Sequence, residues 1–536
     1  MGHLHLMDLI TMAAYAVVIL FIGWRYADRN QSSDDYFVAG RQARSWIVGV
    51  SMISALFSTI SFLSYPGELL KYGPGLAFAL LHAPFTFIVV GFFVIPHIMK
   101  YRITSGYELL EDRFGPGVRK AASLLFVFIR LLWMGFVLFV CSGAVSVIAD
   151  IPLPTVMVCV GIVTIAYTVL GGMRAVLVID VMQFLIYFGS GLLVILYVAY
   201  LCGGLGWLIH WDTRAIADLN WPKVKVFSLS TFDRVTIVGV VVNASLWWIC
   251  TATSDQMMIQ RYLCTRDAKT ARQSFLHCLI GDAAIQAIVW GIAAALLAYY
   301  VRFGSERMTA DSSMVRGADK LFQEFISTVL PAGIRGIVVA ALFSDAMQSL
   351  SSGISALGTV LVVDFKNVFA RGLSSPAPAA LVTVGSTAEP VLNHDAPNSS
   401  AALARRAKLV GVVVGTIALA LSFVIGYVPG RNIVDITYRL SSFFTVPLAV
   451  VFLMAFFVPF ASPAGAWTAI IMGFSTGVLF SYWKQLVGRF VETGDFSVVL
   501  IMPCTLAISL ICGVLVSLVS RRRPTGVARN VLAASA

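Results

Sequence analysis

Long apolar segments, separated by shorter polar ones, follow one another along almost the whole 536-residue chain. A helix needs roughly 18 or more apolar residues to cross a bilayer, and these segments meet that length. The pattern predicts an all-α polytopic membrane protein with thirteen spans, at residues 7–24, 45–67, 75–99, 121–147, 151–170, 175–202, 235–263, 273–302, 336–363, 407–428, 433–458, 464–483 and 496–519. The N-terminal segment has no basic region and no small-residue cleavage site, which favours a first span over a signal peptide.

Two of these spans are interrupted by hydroxyl residues near the middle of the membrane. The second span contains "SMISALFSTISFLSYPG" (Ser51–Gly67), and the seventh contains "LWWICTATSDQ" (Leu246–Gln256), five spans later. Discontinuous helices at matching positions of two halves indicate an inverted-repeat transporter with its site at the midplane. The alternative is that the hydroxyls only bond back to carbonyls one turn earlier in the same helix.

The ninth span contains the most polar stretch, "SDAMQSLSSGISALGT" (Ser344–Thr359). On a helix, Asp345, Gln348, Ser349 and Ser352 share one face. Oxygen ligands of this kind suit a small, hard cation such as Na⁺, and an intramembrane carboxylate is by default a candidate functional group. A helix contact built from small residues would explain the serines but not Asp345.

Composition supports the membrane class: 59% of residues are hydrophobic and 12% are charged, whereas soluble domains have about 25% charged residues. The net charge of +11 follows the positive-inside rule rather than indicating nucleic acid, because most Lys and Arg residues fall in alternate loops. This bias predicts a multi-pass plasma (cell inner) membrane protein with its N-terminus outside and its C-terminus in the cytoplasm. The eight cysteines have no disulfide or metal spacing, and no enzyme motif of the HExxH, GxSxG or P-loop type occurs, so we expect no enzyme.

Five motifs together carry a family resemblance. They are "YFVAGR" (Tyr36–Arg41), "TSGYELLEDRFG" (Thr104–Gly115), "YTVLGGMRAVLVIDVMQ" (Tyr167–Gln183), "SDQMMIQRYL" (Ser254–Leu263) and "SSGISALGTVLVVDF" (Ser351–Phe365). With them the chain resembles the sodium–solute symporters, relatives of the sodium/glucose cotransporters. The resemblance implies sodium-coupled symport of a small organic solute by alternating access, on a LeuT-like core of two inverted five-helix repeats.

The resemblance also divides the chain. It implies an extra helix and loop at 1–44, a first repeat at 45–205, an external loop at 206–234, a second repeat at 235–458 with a cytoplasmic loop at 366–406, two extra helices at 459–519 and a tail at 520–536. The expected partners are the solute and membrane lipid, without nucleic acid, in a monomeric or weakly oligomeric protein.

For the coupling ion, the resemblance implies a Na⁺ site at the carbonyls of Ser54, Phe57 and Asp345 and the side chains of Gln348 and Ser349. Relatives usually have Ser or Thr at the position of Gln348 and Ala at that of Asp345, so H⁺ coupling stays open.

A second Na⁺ site is implied at Asp180, Ser351 and Ser352. Asp180 alternatively is a helix-start aspartate near the cytoplasmic face.

Counting along the shared motifs from the positions that contact substrate in sugar-transporting relatives gives Ser61, His82, Asp282 and Arg439. The resemblance adds Arg130, in the third core helix, where a sialic-acid-transporting relative uses an arginine for carboxylate, and Trp247 and Trp248 are candidates to stack on a ring or close a gate. The alternatives are a packed histidine, an arginine that pairs with Asp282, a snorkelling Arg439 and tryptophans that face lipid or core. Two arginines against one aspartate favour an organic anion or zwitterion over a neutral sugar.

Two other functions stay open from the sequence. One is a proton-coupled symporter of the same fold, and the other is a membrane sensor derived from it. A sensor that feeds a kinase module would need an appended domain, and only Arg521–Ala536 follow the last span.

Overall fold

The structure, a computed structural model, describes residues 5–27, 32–57, 59–208, 225–228, 230, 233–303, 318–365, 397–426, 433–488 and 494–520. Its α-helices are α1 Leu6–Ala27, α2 Ser33–Val38, α3 Ser45–Leu56, α4 Thr59–Tyr72, α5 Ala83–Val89, α6 Ile95–Met99, α7 Glu108–Phe114, α8 Pro116–Ala149, α9 Leu153–Leu201, α10 Ile237–Ser254, α11 Gln256–Leu263, α12 Ala268–Phe303, α13 Ala318–Thr328, α14 Ile334–Asp364, α15 Pro397–Ile425, α16 Ile433–Phe457, α17 Pro463–Ser481, α18 Trp483–Leu486 and α19 Val498–Val519. The all-α prediction is therefore confirmed.

Within the described residues, ten helices are long and apolar enough to cross a membrane, and the bent pair α3–α4 adds an eleventh. The 49-residue helix α9 contains both spans predicted at 151–170 and 175–202, and its backbone leaves the helical region at Gly172 between them. Together with α16 these make twelve membrane-length elements among the described residues, and they account for all thirteen predicted segments because α9 contains two of them.

Both predicted helix interruptions are present. The helix α3 ends at Leu56, with Phe57 extended (φ −72°, ψ 149°), and α4 continues at an angle of 61° to it. The helix α10 ends at Ser254, with Asp255 extended (φ −78°, ψ 121°), before α11 begins. Each break leaves backbone carbonyls and amides without partners inside their own helix.

The third predicted span is irregular. It runs as a 3₁₀ helix over Pro74–His82, then α5, a π-helical turn at Val90–Val94 and α6. Proline stands in the first turn of the 3₁₀ helix, of α5 and of α6. A proline has no backbone N–H, so it begins a helical segment more readily than it continues one.

Helix α14 lies at the centre of the bundle. In the most apolar 18-residue stretch of α14, 89% of the residues are buried inside the protein. In the corresponding stretch of α1, 22% are buried. It packs against α8, α9, α15 and α1, and it also contacts both broken helices. Its polar stretch is therefore enclosed by protein rather than exposed to lipid.

The loop predicted at 366–406 is partly corrected. Residues 366–396 lie outside the described part of the chain, but α15 already begins at Pro397. The segment "AALARRAK" consists largely of strong helix formers, which extend the helix beyond its membrane-length part. The amphipathic helix α13, between the spans α12 and α14, was not predicted.

Gly172 provides a test of the bend in α9. Its backbone (φ 59°, ψ −166°) lies in a region that only glycine occupies without strain. We expect Gly172→Ala to destabilise the protein by about 1–3 kcal/mol, measured as a lower midpoint of thermal unfolding in detergent. Gly189→Ala in the same helix is the control, because a Cβ there meets nothing within 4 Å. Equal midpoints for both variants would contradict the role given to Gly172.

Candidate ion and substrate sites

The predicted ion-site residues of α14 lie on one buried face. Asp345, Gln348 and Ser349 are each at most 3% exposed. The hydroxyl of Ser349 and the side-chain nitrogen of Gln348 are buried, and neither has a hydrogen-bond partner among the described residues. Because buried polar atoms are normally satisfied, these groups indicate a place for a ligand.

The other half of this site is the break between α3 and α4. Phe57 caps α3 in an extended conformation, and its ring packs against Tyr187 with ring centroids 5.5 Å apart. The Asp345 carboxylate lies within electrostatic range of the same Tyr187, which connects the face of α14 with the helix break. Carbonyls at the break, the Ser349 hydroxyl and the Gln348 amide oxygen are ligand types that suit Na⁺, so a Na⁺ site between α14 and this break stays a prediction.

Asp180 lies in a different environment from the one that a helix start would give it. It is fully buried in the interior of α9, and its Oδ2 accepts hydrogen bonds from Ser51 (2.5 Å) and from Arg261 (2.9 Å). The Arg261 guanidinium also donates to Ser51, at 2.8 Å, and to Ser352, at 2.7 Å. Asp180 and Arg261 are therefore a buried ion pair with both side chains 1% exposed.

This cluster brings together two of the three residues predicted for a second Na⁺ site. Asp180 and Ser352 both bind Arg261, whereas the Ser351 hydroxyl donates to the Gln348 carbonyl of its own helix, at 3.1 Å. The second carboxylate oxygen of Asp180, Oδ1, has no hydrogen-bond partner among the described residues. A second Na⁺ site therefore stays a prediction, and any such ion would bind beside a guanidinium.

The serines and threonines of the two interrupted spans behave differently. Ser51 and Ser54 of α3 bond to the side chain and the backbone carbonyl of Asp180 in α9. Thr253 and Ser254 of α10 bond instead to carbonyls four residues earlier in their own helix. The hydroxyls of Ser51 and Ser54 therefore bond to another helix. The hydroxyls of Thr253 and Ser254 bond to carbonyls of their own helix, which is the alternative expected for such residues in membrane helices.

A cavity of about 230 Å³ adjoins both helix breaks. It extends from the middle of the bundle towards the end at which α4 stops and α10 and α19 begin. The described residues that line it include six of the seven predicted substrate positions: Ser61, His82, Arg130, Trp247, Trp248 and Asp282.

The charged groups in this cavity occur in pairs. Arg130 donates to the carboxylate of Asp255, the residue at the break between α10 and α11. Asp282 lies 3.3 Å from His82 Nε2, and the His82 ring stacks on Trp248 with centroids 5.4 Å apart. Asp282 therefore has an imidazole as its partner, and not one of the two arginines.

Arg439 does not line the cavity. It donates to the Ser481 carbonyl, and its Nη2 lies 4.0 Å from the Asp495 carboxylate in the segment before α19. This position agrees with the alternative of a residue near the end of its span. The expectation of two arginines against one aspartate changes accordingly, because Arg439 is absent from the cavity and Asp255 is present.

The opposite end of the bundle is closed below the break at Asp255. The Gln256 side chain accepts from the Gly106 amide, at 2.8 Å, and donates to the Thr104 carbonyl, at 3.0 Å. The Tyr107 hydroxyl donates to the Ser254 carbonyl. Beside them, Asp364 at the end of α14 is bound by Arg119, Ser105 and Ser123.

Sequence reasoning missed Asp255 and Arg261, the charged partners of Arg130 and Asp180. Both lie in the motif "SDQMMIQRYL", one of the five motifs that carry the family resemblance. Two charges inside a predicted span are the signal that could have identified them.

Comparison with known proteins agrees with this architecture. Residues 36–376 match the model of the sodium:solute symporter family. The sodium/sialic acid symporter SiaT of Proteus mirabilis is 29% identical over 375 residues, which cover 68% of this chain and 71% of that protein. The human sodium-coupled monocarboxylate transporter 1 is 26% identical over 492 residues, which cover 89% of this chain and 74% of that protein.

Two solved structures show the same fold. A substrate-bound, outward-open Na⁺-coupled sialic acid symporter superposes with a TM-score of 0.77 at 22% identity, covering 96% of this chain and 98% of that one. A nucleobase-cation-symport-1 family transporter gives a TM-score of 0.53 at 13% identity, covering 93% and 95%. The predicted LeuT-like transporter fold is confirmed.

The Asp180–Arg261 pair can be tested by a double-mutant cycle. Removing one partner leaves a buried charge uncompensated, so Asp180→Asn and Arg261→Gln should each destabilise the protein by about 3–5 kcal/mol. The double variant should lose less than the sum, with a coupling of roughly 0.5–3 kcal/mol. The measurement is the free energy of unfolding in mixed micelles without Na⁺.

The control cycle uses the exposed pair Lys225–Asp233, whose coupling should be about 0–1 kcal/mol. Additive losses at Asp180 and Arg261, together with a loss of Na⁺-induced stabilisation in Asp180→Asn alone, would instead make Asp180 an ion ligand.

Proposed function

The chain belongs to the sodium:solute symporter family, and we propose that it carries a small organic anion or zwitterion across the membrane together with Na⁺. The observation that supports this most directly is the cavity at the two helix breaks, next to a face of α14 with unsatisfied polar groups. The relatives are sodium-coupled symporters of sialic acid and of monocarboxylates by name, so the proposed chemistry lies within their range.

We assign the coupling ion to the site between α14 and the α3–α4 break. Na⁺ is a substrate here, held by the carbonyls of Ser54, Phe57 and Asp345 with the side chains of Gln348 and Ser349. Gln348 contributes its amide oxygen, a neutral ligand comparable to a backbone carbonyl. Asp345 adds a negative charge beside the ion, which compensates part of the cost of a cation in this buried place.

The solute site is the cavity itself. Arg130 supplies a guanidinium for a carboxylate, and His82, Asp282 and Ser61 supply hydrogen-bonding groups. Trp247 and Trp248 offer flat apolar surface to the remainder of the molecule. Arg439 stays outside this site because it bonds at the end of the bundle.

Alternating access follows from the two ends of the bundle. The cavity end faces outside and the closed end faces the cytoplasm in the orientation that the basic loops predict. We also propose, as membership of the family suggests, that the protein lies in the plasma membrane, has its repeats at 45–205 and 235–458, and acts as a monomer or weak oligomer. Opening the cytoplasmic end requires the contacts of Gln256 and Asp364 to break.

Proton coupling is the second candidate because of one observation. Asp345 is a carboxylate, 1% exposed, at a position where the family usually has alanine. A buried carboxylate can exchange a proton instead of holding a metal ion. The two coupling modes differ in whether substrate affinity follows the Na⁺ concentration or the pH.

The first prediction concerns coupling. Because Phe57 lines the cavity and also belongs to the ion site, saturating Na⁺ should raise substrate affinity roughly 5–150-fold. Calorimetry in sodium and choline buffers at several pH values measures this. Identical affinities in both cations would reject Na⁺ coupling, and a response to pH alone would assign the site to a proton.

The second prediction concerns Ser349. Its hydroxyl has no partner among the described residues, so Ser349→Ala should leave stability in Na⁺-free buffer nearly unchanged. Loss of an ion ligand should raise the Na⁺ concentration for half-maximal uptake by about tenfold or more. Ser344→Ala is the matched control, since the Ser344 hydroxyl points to the Gln183 carbonyl. If uptake by Ser349→Ala depended on Na⁺ in the same way as uptake by the unmodified protein, the assignment of the ion to this face of α14 would be wrong.

A further inference from the structure

Within the proposed solute site, the charged groups favour a particular kind of molecule. Among the described residues that line the cavity are one guanidinium, Arg130, two carboxylates, Asp255 and Asp282, and the imidazole of His82. Carboxylates therefore outnumber guanidinium groups two to one among these side chains, which is an excess of acidic groups before any ligand enters. A ligand that is only an anion would increase that excess, whereas one with a positive group would not.

Arg130 retains the capacity to hold a ligand carboxylate. Its side chain is 10% exposed, and its Nη2 donates to Asp255. Its Nε is buried and has no hydrogen-bond partner among the described residues. A guanidinium binds carboxylates through a fork of neighbouring N–H groups, and Arg130 has N–H donors besides the Nη2 that binds Asp255, so it has the capacity for a second carboxylate.

Two carboxylates on one guanidinium repel each other unless a cation lies nearby. Asp255 is fixed in place, because its Oδ1 accepts from the Met257 amide at 2.8 Å and caps α11. Asp255 therefore cannot move away from Arg130 without uncapping the helix, and a positive group on the ligand would offset the repulsion between the two carboxylates.

We propose that the solute is a zwitterion, whose carboxylate binds Arg130 and whose ammonium group binds the carboxylates of Asp255 and Asp282. This inference rests on the proposed function and specifies its substrate class. An ammonium has three donors, which is enough for both of the carboxylates that line this cavity. The wall of Trp247 and Trp248 accommodates the apolar body and can also face the cationic group.

The experiment uses matched sets of three molecules on one carbon skeleton. The sets are proline, cyclopentanecarboxylate and pyrrolidine; phenylalanine, 3-phenylpropionate and phenethylamine; and 4-aminobutyrate, butyrate and propylamine. Lactate and N-acetylneuraminate serve as additional anions. Binding is measured by thermal stabilisation of the purified full-length protein, and uptake is measured in proteoliposomes with a Na⁺ or a choline gradient.

We expect at least one zwitterion to bind, and its acid and its amine to bind about 30-fold or more weakly. Asp255→Asn keeps an oxygen that can cap α11 but removes the charge, so it should weaken the zwitterion and strengthen the matching acid. Lys225→Gln, a charge change at a residue that does not line the cavity, should leave the preference unchanged.

An acid that binds as tightly as its zwitterion, or an amine that binds more tightly, would overturn the proposal, as would the absence of binding by all zwitterions up to millimolar concentration. An unchanged preference in folded Asp255→Asn would overturn it as well. The proposed function and the substrate class can fail independently of each other. If a zwitterion binds but its uptake ignores the Na⁺ gradient, the substrate class stands and sodium coupling does not; if an anion is taken up with Na⁺, the reverse holds.

Discussion

The buried ion pair between Asp180 and Arg261 is the interaction on which the inner half of the bundle depends. It joins four elements: Asp180 is on α9, Arg261 on α11, Ser51 on α3 and Ser352 on α14. A lone guanidinium or carboxylate at this depth would be costly, and each is acceptable only because the other is in place. The positions of both broken helices relative to the central helix are thereby fixed by one electrostatic requirement.

The same requirement constrains movement. The halves α3 and α11 contact α14 next to the two helix breaks, and Gln260 adds hydrogen bonds from α11 to Phe37 and Thr359. A motion that opened the closed end by separating α3 or α11 from α14 would break these contacts together. The ion pair of Asp180 and Arg261 favours the closed arrangement as long as water is excluded from the inner end. Once water enters, it solvates the separated charges and lowers the cost of opening. Loss of these contacts as a unit would favour two discrete arrangements of the bundle over a continuous range.

The parts of this fold that depend on sequence periodicity could be predicted, and the parts that depend on pairing through space could not. Apolar length located thirteen spans, and polar residues in an apolar segment located the face of α14. The partners of Arg130 and Asp180 escaped prediction because 125 and 81 residues separate them from Asp255 and Arg261 in the chain. Arg439 was placed in the wrong environment for a related reason, since only the packing of α16 against α17 brings it to Ser481.

Coupling between ion and solute needs a physical connection, and Phe57 supplies one. Its backbone ends α3 beside the proposed ion, and its side chain lines the solute cavity and packs on Tyr187. An ion that draws the carbonyls of the break towards α14 also fixes the wall against which the solute binds. The converse holds by thermodynamic reciprocity, because a solute that orders this wall lowers the cost of ordering the ion ligands. If Phe57 belongs to both proposed sites, this one residue is a physical route by which each ligand would favour the binding of the other.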